Sequence, residues 1–132
     1  MAVEFTSPYA RELRLTHRHD GTRRIVTMPF FDGTLGRPGF LHGGAIAGLL
    51  EYAAWTTVLD AIEDDPARIK PVNITVDFMR GGLMLESHAS AVIVRLGRRI
   101  ANVVSTAWQD DEAKPIASAN LKLMLERTAP TS

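Results

Sequence analysis

The chain has no cysteine, no excess of charge of either sign and no low-complexity tract. Without cysteine there is no disulfide, no thiolate nucleophile and little scope for a structural zinc site, which suits a reducing compartment. Fifteen Lys and Arg balance fifteen Asp and Glu in 132 residues, so no net field draws the chain to nucleic acid or to a membrane surface. No apolar run approaches the roughly 20 residues that span a bilayer. The start, MAVEFTSPYARELRLTHRHD, is charged throughout and has no apolar stretch of the kind a secretory signal needs. The expectation is a cytoplasmic protein that works without nucleic acid or membrane. Length argues for one domain over residues 1–132, with 1–12 and 126–132 peripheral or frayed.

What is present has a clear order. TLGRP (Thr34–Pro38) and Gly39 are turn chemistry, and an apolar run follows them. From Ala45 to Leu59 there is no proline and only Gly48 as glycine, which predicts a helix that Pro66 stops. Upstream, ELRLTHRH and RRIVTMPF flank Asp20-Gly21, a hairpin turn. Downstream, VNITVDFM (Val72–Met79) reads as a strand closed by Gly81-Gly82. Glu86–Leu96, Ile100–Asp110 and Ile116–Leu125 then read as an antiparallel meander, with Trp108 and Met124 in the core. A lone helix that is apolar nearly all round has to be wrapped, and an antiparallel sheet curled around it does so. An α+β fold with one central helix follows.

That helix carries one acid in its middle. On a wheel of about 100° per residue, the neighbours of Glu51 are Gly44, Ala47, Gly48, Ala54, Trp55 and Val58, none of them polar. An ionised carboxylate on such a face is costly to bury, so it is paired, neutralised or functional. The bland reading is a rim glutamate or an ion pair; the functional one is a general base or nucleophile in an apolar pocket. At the helix start, Gly43 and Gly44 offer unpaired backbone N–H groups and room for close approach, suited to a carbonyl oxygen that gains negative charge. Gly43 and Glu51 are roughly 12 Å apart along one helix. They cannot serve the same carbonyl within one chain. Two antiparallel helices, each presenting Glu51 to the other's glycine turn, remove the difficulty and predict a homodimer with two shared sites.

The run GFLHGGAIAGLLE resembles the signature of hotdog-fold acyl-CoA thioesterases of the phenylacetate-degradation (PaaI) type, in which H-G-G opens the central helix and an acid follows nine residues after the His. The likeness continues through ITVDFMRGG, VRLGRRIANVVSTAWQDD and PIASANLKLML, roughly Ile25 to Leu125. It implies a hotdog fold, a sheet of five or six antiparallel strands around the helix, assembled as a homodimer and often a homotetramer. It implies hydrolysis of an acyl-CoA thioester, aryl or medium-chain, with no cofactor beyond the coenzyme A of the substrate. Glu51 would be nucleophile or general base, the Gly43 N–H of the partner chain the main oxyanion donor, and His42 the residue that holds the turn beside Gly44. Phe40, Trp55 and Met79 would shape the acyl pocket. The GRR turn of Gly97, Arg98 and Arg99, with Arg95 and Arg80, has two open readings from the residues themselves: a site for the phosphates of coenzyme A, or a solvated hairpin turn. Two positions depart from the family pattern. Gly36 stands where Asn or Gln is common, six residues before the His, and Trp55 where Ser or Thr often follows the acid.

Rival readings fare less well. The motif of hydroxyacyl dehydratases, laid on FFDGTLGRPGFLHGG, puts Phe30 and Gly44 where its His and Glu belong. A non-catalytic acyl-CoA or aromatic-ligand binding protein would explain Gly36 but not Glu51. His17 and His19 share a strand face, yet no third metal ligand is near in sequence, so no metal site is expected. No serine lies in G-x-S-x-G.

Overall fold

In the computed structural model, which describes residues 7–63 and 68–126, the β-branched and aromatic runs form six strands and the apolar run one long helix. The order is α1 (Pro8–Glu12), β1 (Thr16–Asp20), β2 (Arg23–Met28), a 3₁₀ turn (Asp32–Thr34), α2 (Gly43–Ile62), β3 (Ile69–Phe78), β4 (Ser87–Leu96), β5 (Ile100–Trp108) and β6 (Ala117–Leu125). All strands pair antiparallel in one sheet of order β1-β2-β4-β5-β6-β3. Gly21, at φ +64°, turns β1 into β2 as Asp20-Gly21 predicted.

The sheet makes room for α2 by carrying small residues on its inner face. Ala89, Ala91, Ala101, Ala107, Ala117 and Ala119 are all buried, and Leu121, Leu123 and Leu125 interleave with them. Against this layer α2 packs Ile46, Leu49, Leu50, Ala53 and Val58, each at most 2 % exposed. Asn120 and Lys122, on the other face of β6, stay in water. Trp108 is buried as expected, whereas Met124 is only half-buried.

Three expectations need correction. The helix is longer than Ala45–Leu59: it spans 20 residues, starts on Gly43 and ends on Glu63 in the left-handed conformation (φ 50°). At that length, with a mean hydropathy of 1.3, it is long and apolar enough to cross a bilayer, although no uninterrupted apolar run in it is; 56 % of its most apolar stretch is buried, as in a core helix. Pro66 lies outside the described residues. The described part of the 1–12 segment is not frayed. Ser7 caps α1 by accepting the Ala10 N–H (3.1 Å), and Ala10 and Leu13 are buried against the core.

The two edges of the sheet differ in chemistry. β1, THRHD, is polar throughout, as exposed edges usually are. β3 pairs only with β6 and exposes Val72, Ile74 and Phe78 at 52 %, 37 % and 54 %. Beyond β3, the loop with exposed Leu83, Met84 and Leu85 is tied to the sheet by Gln109. Its Nε2 donates to the Leu83 carbonyl (2.9 Å) and to Ser87 Oγ (3.1 Å), and its Oε1 accepts the Leu83 N–H (3.0 Å).

Arg24 of β2 locks the sheet to the far end of α2. Its Nε and Nη2 donate to the two Asp60 oxygens, both at 2.7 Å, and its Nη1 donates to His17 Nδ1 at 2.8 Å. Since arginine only donates, His17 carries its proton on Nε2 and donates it to Tyr52 Oη (3.2 Å). The Arg24 side chain is 6 % exposed, so removing it strands Asp60 beside the core. Arg24→Ala is expected to cost about 3 kcal/mol in urea unfolding, and Arg24→Met with Asp60→Leu to recover most of it. A loss under about 0.5 kcal/mol in the single variant would mean the pair does not hold the two layers.

Candidate active site

The start of α2 is built by a tight loop. The His42 N–H donates to the Thr34 carbonyl (2.8 Å), the Gly36 N–H to the Phe40 carbonyl (3.0 Å), and Leu35 bridges Leu41. Gly39, at φ +86°, takes the bend that a side chain would resist. His42 is the N-cap: its Nδ1 accepts the Gly44 N–H at 2.8 Å, which leaves its proton on Nε2. A Cβ on Gly44 would stand 2.9 Å from the His42 ring, so the cap requires glycine there.

This corrects one detail of the sequence reading. The two glycines do not both offer free N–H groups, because His42 takes that of Gly44. The Gly43 N–H, first of the helix, has no acceptor among the described residues. Phe78 packs beside Gly43; a Cβ on Gly43 would lie 3.3 Å from the Phe78 ring. Phe40 packs its ring on Gly81, and Leu41 N–H donates to the Gly82 carbonyl (2.9 Å), so the loop carrying Met79 and Arg80 lies beside the helix start.

Glu51 stands elsewhere. It lines a cavity of about 180 Å³ together with Gly48, Tyr52 and Trp55 of α2. Tyr9 and Ala10 of α1 and Pro71 of β3 complete the walls. The Glu51 carboxylate has no hydrogen bond or ion pair among the described residues, and burial raises its pKa above the ordinary carboxylate value. Trp55 stacks on Tyr52 (ring centroids 6.0 Å apart) and its Nε1 donates to the Ile69 carbonyl (3.2 Å).

The predicted site residues thus fall into three groups within one chain. His42, Gly43, Gly44, Phe40, Met79 and Arg80 gather at the helix start, and Glu51 and Trp55 share the cavity. Arg98 and Arg99 join neither group. Strand register places their turn beside Leu125 and Ile69, at the opposite end of the sheet from Phe78 and Gly43. Both are exposed.

Sequence reasoning missed Phe78 at the helix start and Tyr9, Tyr52 and Pro71 in the lining of the cavity. The available signal was Gly48, a glycine in mid-helix, which costs about 1 kcal/mol unless something must come close. A Cβ there would lie 2.7 Å from the Tyr9 ring. His17 and His19 form no metal cluster, and among the described residues no group of three potential ligands does.

One six-stranded antiparallel sheet rolled around one long helix defines a hotdog-fold protein. Residues 31–124 match the family of acyl-CoA thioesterase N-terminal domains, so the chain belongs to that family and is a thioester hydrolase. No curated protein matches the sequence. Among solved structures, the phenylacetic acid degradation-related protein of Ralstonia eutropha JMP134 is similar at 24% identity, with 92% of each chain covered and a TM-score of 0.80. A Chromobacterium violaceum protein is 30% identical over 89% of this chain and 82% of its own, with a TM-score of 0.70. A Bacillus halodurans protein solved with CoA is 17% identical over 96% of this chain and 83% of its own, with a TM-score of 0.82. The resemblance drawn from the H-G-G motif and its acid is borne out at the level of family and fold.

A raised carboxyl pKa means the folded state binds the proton more tightly than the unfolded state. The stability this adds is fully present below the ordinary carboxylate pKa and is lost as pH rises through the raised value. Ionised Glu51 is therefore a burden at neutral pH. Glu51→Gln is expected to melt above wild type at about pH 7, the gap closing towards about pH 4. A variant that melts lower at the higher pH would show that the carboxylate is held by partners instead.

Proposed function

We propose that the protein hydrolyses acyl-CoA thioesters at a site shared between two copies of the chain, with Glu51 of one and the Gly43 N–H of the other acting on the same carbonyl. The observation that carries this is the separation of the two groups. Eight residues of helix, about 12 Å, lie between an unpaired N–H suited to an oxyanion and an unpaired carboxylate suited to a base. Neither has a partner among the described residues, and each lacks what the other supplies.

The apolar edge strand supports the pairing. β3 leaves backbone groups and three large apolar side chains open along one edge, as a strand does when a second copy continues the sheet. A two-fold axis there sets the helices antiparallel. The Phe40, Gly43, Met79 and Arg80 end of one chain then lies against the Glu51 and Trp55 end of the other. Arg98 and Arg99, out of reach of Gly43 in their own chain, would stand on the same side as the partner's helix start and offer the phosphates of coenzyme A their charge.

In this reading Glu51 takes a proton from water as the water oxygen attacks the thioester carbon. The carbonyl oxygen, now an anion, is held by the Gly43 N–H. The C–S bond breaks, the thiolate leaves with the proton from Glu51, and carboxylic acid and free CoA result. Direct attack by the carboxylate to give a mixed anhydride, later hydrolysed, uses the same groups. Neither route needs a cofactor. The acyl group is aryl or medium-chain, the assembly a homodimer that can pair again to a tetramer, and the setting cytoplasmic.

Proline at the first helical position keeps a helix intact while deleting its N–H, and His42 already has the extended backbone that precedes proline. Gly43→Pro is therefore expected to fold and to lose about a hundredfold in kcat. Glu51→Ala loses as much or more. Mixed dimers of Glu51→Ala with Gly43→Pro carry one intact site, and about half the wild-type rate per mixed dimer is expected. No recovery on mixing would place the two groups in one chain's site and sink the shared arrangement. In the wild type, the acid limb of kcat/KM should fall above the ordinary glutamate value of about 4.3, because burial raises Glu51.

A further inference from the structure

We propose that α1 is the end wall of the acyl pocket and that Tyr9 is its specificity-determining residue, restricting the enzyme to compact acyl groups of about one ring in bulk. The proposal rests on Glu51 being the carboxylate that acts on the thioester. Gly48 precedes Glu51 by one helical turn and so lies on the same face of α2. The Tyr9 ring is seated on that glycine: a Cβ would come within 2.7 Å of its Cε2 and 3.0 Å of Leu13 Cδ1. A helix interior that gives up a side chain at this point gains the approach of α1 in return.

The wall is anchored. Besides its Ser7 cap, α1 is fixed by Ala10 and Leu13, which are 2 % and 5 % exposed, and by the Leu15 N–H, which donates to the Ala10 carbonyl (3.0 Å). Arg14 follows in the left-handed conformation (φ 57°) with its guanidinium over the Phe31 ring, 4.0 Å from the centroid. The opposite wall is the stacked pair Tyr52 and Trp55. Between them lies a cavity of about 180 Å³. An apolar cavity of about 150 Å³ holds one benzene ring. A straight chain much longer than a ring meets α1 or leaves by the open side of the cavity.

The test compares dodecanoyl-CoA with benzoyl-CoA in wild type, Tyr9→Phe and Tyr9→Ala. Wild type and Tyr9→Phe are expected to favour benzoyl-CoA equally. Tyr9→Ala is expected to shift the kcat/KM ratio towards dodecanoyl-CoA by about tenfold or more. Hydrolysis with an unchanged ratio in Tyr9→Ala would overturn the role of Tyr9. Hydrolysis of neither substrate by wild type would overturn the thioesterase reading instead. The ratio of Kd values for the same two thioesters, measured by calorimetry, then decides Tyr9 by the same criterion. The seat itself is read from stability: Gly48→Ala should lower Tm in wild type and lower it less in Tyr9→Ala, and equal losses would remove the contact on which the proposal stands.

Discussion

An α-helix with apolar residues on nearly every side has no face to give to water, and α2 is such a helix. The rest of the molecule is arranged around that constraint. The sheet presents buried alanines and leucines to α2, so two layers close without a third. Arg24 reaches from the sheet to Asp60 and ties down the far end of the helix. What the sheet leaves uncovered is the stripe of Gly44, Ala47, Gly48, Glu51 and Trp55, all exposed or half-exposed. The carboxylate stands on this stripe, within reach of a ligand or a second chain.

The loop before α2 explains a departure from the family pattern that the sequence left bare. Gly36 lies flush against the turn: a Cβ there would come within 2.9 Å of His42 Cα and 3.2 Å of its backbone nitrogen. In this loop an asparagine or glutamine at position 36 has no space without moving the N-cap. The missing amide and the close-packed turn are thus one feature. The chain holds its helix start by backbone contact between Thr34, Gly36 and His42, and the Gly43 N–H there has no acceptor among the described residues.

The fold was largely legible from local pattern. Alternation in Ile116–Leu125, the Asp20-Gly21 turn and the length of the apolar run each report a local preference that the packed structure keeps. The spacing of His42 and Glu51 was legible for the same reason, since both lie on one helix. What depended on contacts between distant segments was not. Gly48 signals that something comes close to the helix there, but not that it is Tyr9, forty-two residues before Glu51, and nothing points to Pro71, twenty after it. The placement of Arg98 and Arg99 needed the strand register, which periodicity alone does not supply. The first turn of α2 was legible in His42-Gly43-Gly44, whereas its last was placed short at Leu59, because the helix runs on through Asp60, Ala61 and Ile62 into the acidic stretch.

Gln109 gives the molecule a property that differs from shape or charge. By holding the backbone at Leu83 and the hydroxyl of Ser87, it fixes a loop whose apolar side chains face water. Loops of that kind usually lose freedom only when something binds, and the lost entropy is subtracted from the affinity. Here most of that loss has been taken during folding. Leu83, Met84 and Leu85 meet an incoming apolar surface as a finished template, so contact with them draws on desolvation with little left to order.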